Sequence, residues 1–225
     1  MMGVMSQPMS LPTVAVDASV QRAVAPDSYV VIARAVARAA DSSTAAAQLA
    51  ARFGELETVA RGLTHLALEV ERGAVSVHPD WEAQPYGGKT PSGWRATRDL
   101  TATGRDLSQV AELVGALGRI ADVEIEGPHW QLDRDNPVHA ELAAEAVHEA
   151  IARAGRYAAA LGGRLGRLVE LTDTGMGGGR EMGFARQISS RGADMVVGLE
   201  TLDFTPQPIE VYAGVQGRWY LSLPD

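Results

Sequence analysis

Apolar and polar residues alternate near both ends of the chain, as they do in half-buried β-strands. In the segment 13–24 the apolar side chains fall on even positions, and polar residues such as Asp17 and Gln21 fall between them. The segment 209–223 alternates in the same way. These patterns predict a first and a last strand. Their apolar positions are Val14, Val16, Ala18 and Val20 in the first segment and Ile209, Val211, Ala213, Val215, Trp219, Leu221 and Leu223 in the last.

Further segments have strand character. After a turn at Pro26 and Asp27, the second predicted strand covers 29–39 and forms a hairpin with the first. Its odd positions Val31, Ala33, Ala35 and Ala37 carry small apolar side chains, which favours close packing under a helix. The other predicted strands are 66–77 (interrupted near Gly73), 94–103, 123–132 (bent at Gly127-Pro128) and 165–171.

Three segments have the apolar spacing of amphipathic helices. The first is predicted over 44–62, with a cap among Asp41, Ser42 and Ser43. The second opens at Asp106 with a capping-box pattern and ends near 117. The third runs from Asn136-Pro137 to about Leu161. Gly155 within this third helix predicts a tight backbone contact. Its predicted apolar stripe is Val138, Leu142, Val147, Ala150, Ile151, Ala154, Ala158 and Leu161.

Two stretches rich in glycine and proline are predicted to be irregular: an exposed loop at 79–93 and a long flexible insert at 174–207. Residues 1–11 are expected to form an N-terminal tail, and 12–223 a single domain. The expected fold class is α+β, a largely antiparallel β-sheet with about three α-helices packed on one face.

Composition narrows the classes of function. Among 225 residues the net charge is −8, which argues against a phosphate-backbone binder, so no nucleic-acid partner is expected. The absence of cysteine excludes disulfides, thiolate nucleophiles and cysteine-bound zinc. No apolar run approaches the roughly 20 residues of a membrane-spanning helix, so no membrane insertion is expected. Without a visible signal peptide the chain is expected in the cytoplasm, or in the periplasm or envelope if a leader was removed.

The candidate motifs for catalysis or cofactor binding are all incomplete. Gly87-Gly88-Lys89-Thr90 lacks the earlier glycine of a phosphate-binding loop, because Ala83 stands there, and a turn is the expected structure. Glu145 and His148 have the spacing of a di-iron ligand pair, but no second copy exists, which favours a solvated helix face. Gly175-Met176-Gly177-Gly178-Gly179-Arg180 is interpreted as a flexible linker. No catalytic, cofactor-binding or metal-binding residue is therefore assigned.

A few bulky apolar residues are candidates for contact with other molecules. Trp81, in the predicted loop, is a candidate anchor for a partner. Met176, Met182, Met195 and Phe184 are candidates for an adaptable contact surface, since methionine repacks easily, with core or disordered positions as the alternatives. Trp94, Trp130 and Trp219 are expected to seal the sheet.

Two segments resemble the SIMPL-domain family, a domain of unknown function. One is the predicted strand-into-helix unit that begins at Gly93-Trp94-Arg95-Ala96 and continues through Arg105-Asp106-Leu107-Ser108-Gln109-Val110. The other is the alanine-rich third helix with its following strand, and the resemblance extends from about Pro12 to Leu223. The residues that carry this second match are Ala146-Val147, Glu149-Ala150, Arg153-Ala154, Ala158, Leu161-Gly162 and Leu165-Gly166.

The resemblance implies function only in broad terms. Members of that family include bacterial envelope antigens, a protein linked to oxidative-stress defence and a eukaryotic adaptor of a signalling kinase, and some form ring-like or channel-like oligomers. The family has no shared catalytic residues to carry over. The leading hypothesis is a non-enzymatic, homo-oligomeric protein that works through protein contacts in stress response, envelope organisation or signalling. The alternative is a small-molecule binding module with the loops 79–93 and 174–207 as a lid.

Overall fold

The computed structural model describes residues 11–83, 89–178 and 203–224, and the description below is confined to them. It confirms the α+β class, with three helices and seven strands in two antiparallel sheets. In chain order the helices and strands are β1 (Thr13–Val24), β2 (Ser28–Ala39), α1 (Ser42–Gly62), β3 (Glu69–Ala83), β4 (Lys89–Gly104), α2 (Val110–Leu117), β5 (Val123–Gln131), α3 (Val138–Ala160), β6 (Arg164–Gly178) and β7 (Ile209–Ser222).

The strands divide between two compact units, which are described separately. One unit contains a four-stranded sheet in the order β3-β4-β2-β5 together with α1 and α2. The other contains a three-stranded sheet in the order β1-β7-β6 together with α3. The predicted hairpin between β1 and β2 is therefore wrong, because β1 pairs along its whole length with β7 and β2 pairs with β4 and β5.

The core of the four-stranded unit lies between its sheet and its two longer helices. Val31, Ala33, Ala35 and Ala37 of β2 are small, as predicted, and fully or almost fully buried, so α1 packs closely on the strand. Each helix contributes the apolar stripe that its spacing predicted. The buried helix residues are Ala45, Leu49, Phe53, Leu56 and Ala60 in α1, and Val110, Leu113, Val114 and Leu117 in α2.

Aspartates cap α1 and the 3₁₀ turn that leads into α2. The Asp41 carboxylate accepts hydrogen bonds from the Thr44 amide at 2.8 Å and from the Ser43 hydroxyl, and these bonds lower the pKa of Asp41 to about 2. Asp106 accepts from the amide of Ser108 at 3.1 Å, at the start of a 3₁₀ turn that precedes α2. The first helix therefore begins at Ser42, two residues before its predicted start.

The three-stranded unit has α3 packed on one face. Six residues of α3, spaced four apart, are buried. Four of them are alanine, which keeps the helix close to the sheet. The stripe was predicted only in part: Ala146 was missed, and Ile151 and Leu161 are 43% and 59% exposed. The tight backbone contact predicted at Gly155 is wrong, because a Cβ added there would meet no atom within 4 Å. The buried positions are Val138, Leu142, Ala146, Ala150, Ala154 and Ala158.

Strands extend into both segments that were predicted to be irregular. Residues 79–83 belong to β3 and 89–93 belong to β4, so within 79–93 only 84–88 lie outside the described residues. Strand β6 continues to Gly178, so the predicted insert at 174–207 begins inside a strand. Its last residues, 203–207, are irregular, and 179–202 lie outside the described residues. The glycines in these ranges do not prevent the strands from continuing, because the hydrogen bonds between strands are made by backbone groups that glycine also has.

Candidate interaction surfaces

Strand β6 presents an exposed apolar surface in the three-stranded unit. Among the described strands it pairs only with β7, which makes it an edge strand, and α3 covers it less than it covers β1 and β7. Leu168, Val169 and Leu171 are 48%, 44% and 43% exposed. We call these three residues the β6 patch. An edge strand also leaves half of its backbone N–H and C=O groups without a neighbouring strand, so it can pair with another chain.

Charge is distributed unevenly along β6. Arg164 and Arg167 lie in its first half, whereas Glu170 and Asp173 lie further along, and all four are exposed. A second β6 strand running antiparallel would bring basic positions towards acidic ones. The strand also contains three register irregularities against β7, which bend an edge and limit how long a regular pairing can be.

The opposite edge of the same sheet is partly covered. Arg153 of α3 donates from Nη1 to the backbone oxygen of Asp17 in β1 at 2.8 Å. Arg22 of the same strand bridges two carboxylates of α3, Glu141 at 2.8 Å and Glu145 at 2.9 Å. These side chains occupy the β1 edge, so the β6 edge is the more accessible of the two.

A second exposed apolar surface lies on β3, the edge strand of the four-stranded sheet. Val75, Val77 and Trp81 are 55%, 37% and 53% exposed. They occupy alternate positions of one strand and therefore share a face. Their sequence pattern alone predicts burial, but α1 lies mainly over β2 and β4 and covers β3 less.

Trp81 lies on a two-stranded ribbon that extends past the rest of the sheet. Strand β2 ends at Ala39, opposite Trp94, whereas β3 and β4 remain paired as far as Ala83 and Lys89. Trp81 therefore belongs to a strand, and its predicted place in a loop is wrong. Its exposure agrees with its interpretation as a candidate anchor.

A pocket of 570 Å³ opens beside this ribbon, within the 300–1,000 Å³ range of small-ligand sites. The register steps from Asp80–Gly93 to Trp81–Pro91, which leaves Ser92 as an extra residue of β4. The sequence did not predict this pocket, because the pocket depends on that register and on where β2 ends. Trp81 and Trp94 were the only signal of it in the sequence. Its lining residues are Arg38, Ala39, Asp80, Trp81, Glu82, Ser92, Gly93 and Trp94.

The sheet face opposite α1 is covered by ion pairs. Arg34 of β2 binds Asp99 of β4 through two hydrogen bonds of 2.7 and 2.9 Å, and burial of both side chains is only partial. Arg38 pairs with Asp80 at 3.1 Å, and Arg95 with Glu124 at 3.3 Å. These contacts neutralise most of the charge on the face, which makes it a poor site for a strongly charged ligand.

The motifs singled out for their chemistry do not converge. Glu145 is occupied by Arg22, and His148 is exposed on α3. Lys89 and Thr90 begin β4, with a strand instead of the helix that a phosphate-binding loop requires, while Gly87 and Gly88 lie outside the described residues. Throughout the described ranges no three His, Asp or Glu side chains are arranged to hold a metal ion.

The remaining glycine-rich and methionine-rich candidates are only partly described. Gly175 to Gly178 belong to β6, while Gly179 and Arg180 lie outside the described residues. Met176 is in β6, and Met182, Phe184 and Met195 lie outside the described residues, so their contact surface stays a prediction.

The pKa of Tyr29 is perturbed inside the core of the four-stranded unit. Its side chain is fully buried, and burial raises the pKa of its hydroxyl above the ordinary value of 10.0, with further contributions from the charges of Asp106 and Glu112. In the described parts of the chain this hydroxyl has no hydrogen-bond partner. A neutral, enclosed phenol of this kind has no access to a substrate.

Comparison with protein families places nearly the whole fold in one of them. Residues 14–219 match SIMPL, which is described as a protein of unknown function (DUF541). No curated protein matches the sequence. Among the described helices none is long and apolar enough to cross a membrane. The match spans the helices and all but the first and last residues of the two sheets, and it agrees with the resemblance of the two sequence segments. The chain therefore belongs to the SIMPL family, whose function is unknown.

Proposed function

We propose that this chain is a non-enzymatic protein that self-associates and acts through protein contacts, in stress response, envelope organisation or signalling. The observation that carries the proposal is the β6 patch: Leu168, Val169 and Leu171 lie together on an edge strand and are each more than two-fifths exposed. Exposed apolar residues grouped on an open strand edge are typical of contact sites.

A second copy of the chain is the proposed partner of this edge. The charge pattern of β6 supports it, because a second β6 strand running antiparallel can place Arg164 opposite Asp173 and Arg167 opposite Glu170. In such a dimer the β6 edges of the two copies contact each other across a two-fold axis, which is the commonest symmetry of protein dimers. The irregular register of β6 limits the paired stretch, so side-chain contacts of the β6 patch supply the rest of the interface.

Light scattering coupled to size-exclusion chromatography tests the proposal. The wild-type chain is expected to show a concentration-dependent mass above that of the monomer, and the double variant Leu168→Arg/Leu171→Arg to shift towards the monomer. Ile151→Arg is the matched control, because Ile151 is as exposed as Leu171, at 43% each, but lies on α3. A wild-type chain that stays monomeric at every concentration would sink the proposal.

A small-molecule binding module is the second candidate function, and the 570 Å³ pocket beside the ribbon is the observation that favours it. The pocket combines aromatic walls with a few polar groups, as ligand sites do. A thermal-shift screen against a metabolite library tests it. A ligand present at a hundred times its Kd is expected to stabilise the fold by about 2.7 kcal/mol. If no compound in a broad library raises the melting temperature, the candidate fails.

A further inference from the structure

Another pocket of the four-stranded unit opens between the end of α1 and the start of β3. Its volume of 360 Å³ lies within the range of about 300–1,000 Å³ that small-ligand sites have. The lining is mostly apolar and continues the core, because Ala60 is buried and Leu63, Leu68 and Val70 are half-buried and pack against the core. The lining residues are Ala60, Arg61, Leu63, Thr64, Ala67, Leu68 and Val70.

Val70, the strand residue of this lining, faces α1. It pairs with Ala102 of β4, which is fully buried in the core between the sheet and the helices, and directly paired residues share a face. Glu69 and Glu71 alternate with Val70 along β3, so their side chains lie on the opposite face of the sheet. These two carboxylates are therefore not part of the pocket.

Two arginines share one carboxylate beside the pocket. Oε1 of Glu57 accepts from Nε of Arg61 at 2.9 Å and from Nε of Arg72 at 2.8 Å, and Nη2 of Arg72 donates to the same oxygen. Two positive charges and one negative charge leave a net charge of about +1 at neutral pH. Arg61 lines the pocket, and its Nη groups donate to no acceptor in the described parts of the chain. One edge of its guanidinium is therefore available to an anion.

Two negative features near the pocket are weaker than the charge of Arg61. Glu112 lies on α2 and is already bound to Nε2 of His65 at 2.8 Å. The carbonyl groups at the end of α1 carry a partial negative charge, but a charge-assisted hydrogen bond from a guanidinium contributes more than this partial charge costs. Thr64, which also lines the pocket, has a hydroxyl that can donate to the same anion.

We infer that this pocket binds a small carboxylic acid with a short apolar tail, in its ionised form. The carboxylate accepts hydrogen bonds from the Nη groups of Arg61 and from the Thr64 hydroxyl, and the tail lies against Leu63, Leu68 and Val70. Such an acid fits better than an inorganic anion, because most of the lining is apolar and only one end carries charge. The site is separate from the β6 patch and from the pocket beside the ribbon, so it depends on neither proposal above.

A ¹H–¹⁵N NMR titration of the full chain with sodium hexanoate tests the inference. Hexanoate is expected to shift the backbone amide signals of Thr64, Ala67 and Val70 saturably and to leave the indole signals of Trp81 and Trp94 unchanged. Hexanamide has the same shape without the charge, and acetate has the charge without the tail; both are expected to bind at least about threefold more weakly. Equal binding of either analogue, no saturable shift with hexanoate, or shifts confined to the two indoles would overturn the inference.

Variants separate the two polar groups of the pocket from the rest of the surface. Arg61→Gln is expected to weaken hexanoate binding roughly tenfold and Thr64→Val roughly threefold. Arg61→Gln keeps the fold, because the Arg61 side chain is 62% exposed and Glu57 retains Arg72. Arg119→Gln, which removes an exposed arginine of the same unit outside the pocket, is the control and is expected to bind as the wild type does. Unchanged binding in Arg61→Gln, or equal weakening in Arg119→Gln, contradicts the inference.

Failure of this inference is distinct from failure of either proposed function. The double variant Leu168→Arg/Leu171→Arg is expected to bind hexanoate as the wild type does. If hexanoate causes no shift while another compound shifts the indole signals of Trp81 and Trp94, this inference is lost and the second candidate function stands. If hexanoate binds while the chain stays monomeric, the inference holds and only self-association is lost.

Discussion

Tyr29 lies directly over Gly104, its partner across the β2–β4 pair. A Cβ at position 104 would stand 2.8 Å from Cε1 of Tyr29 and nearer still to Cζ and the hydroxyl oxygen. The ring thus fills the space that a side chain on the opposite strand would take, and only glycine permits the contact. In the other unit the ring of Trp219 lies over Gly217, which stands two residues earlier on the same strand, β7.

Gly104→Ala is expected to destabilise the protein by about 1–3 kcal/mol, since the fully buried Tyr29 ring has little room to move away. Chemical denaturation measured by circular dichroism gives the change in the free energy of unfolding. A variant as stable as the wild type would show that the ring has another position available.

Tyr29→Phe is expected to leave stability at neutral pH unchanged or to raise it by up to about 1 kcal/mol, because it removes a buried hydroxyl that has no partner in the described chain. Burial raises the folded-state pKa above the unfolded value of 10.0. The free energy of unfolding of the wild type is therefore unaffected by this group below pH 10. It falls as the pH rises from 10 towards the folded-state pKa, because the unfolded chain loses the Tyr29 proton first. Unfolding measured between pH 8 and pH 11 is expected to show a smaller alkaline loss in Tyr29→Phe than in the wild type.

The alanine stripe of α3 is expected to tolerate no enlargement. Ala154 is fully buried, so Ala154→Leu forces the helix away from the sheet and costs about 1–3 kcal/mol. Ala152→Leu is the matched control, because Ala152 is exposed on the same helix. Thermal melting of both variants measures the difference; equal melting temperatures would mean that α3 is free to shift.

Gly155→Ala is expected to stabilise the protein by about 0.5–1 kcal/mol. Glycine in a helix interior costs this much relative to alanine, and the added Cβ meets nothing within 4 Å. Thermal and chemical unfolding should both show the gain. A loss of stability would indicate that α3 contacts another molecule at this position. Repeating the measurement on the monomer at low protein concentration would identify such a contact.

Local patterns in the sequence predicted most of the elements. The small odd positions of β2, the stripe of α1 and the alternation of β7 each depend on residues close together in the chain, and all three were confirmed. Pairing was harder to predict: alternation marks β1 as a strand, but nothing in it indicates that Val16 pairs with Gly217 and not with a residue of β2.

Exposure could not be predicted from the same patterns. Val75 and Val77 alternate like buried residues, and Leu168 and Leu171 lie in an apolar strand. All four are nevertheless exposed, because α1 and α3 cover these edge strands less than they cover the other strands of each sheet. The coverage of a sheet depends on helix position, which is a property of the whole fold. The candidate surfaces arise at these positions, where the local pattern and the final packing disagree.

The central place of β7 in its sheet has a consequence for how the protein is made on the ribosome. Strand β1 is synthesised early but pairs only with β7, which follows the other six strands in the sequence. Strands β2 to β5, by contrast, find all their partners within one continuous stretch and can fold during translation. The nascent chain therefore carries an unpaired first strand for most of its synthesis, and the arrival of β7 completes that unit.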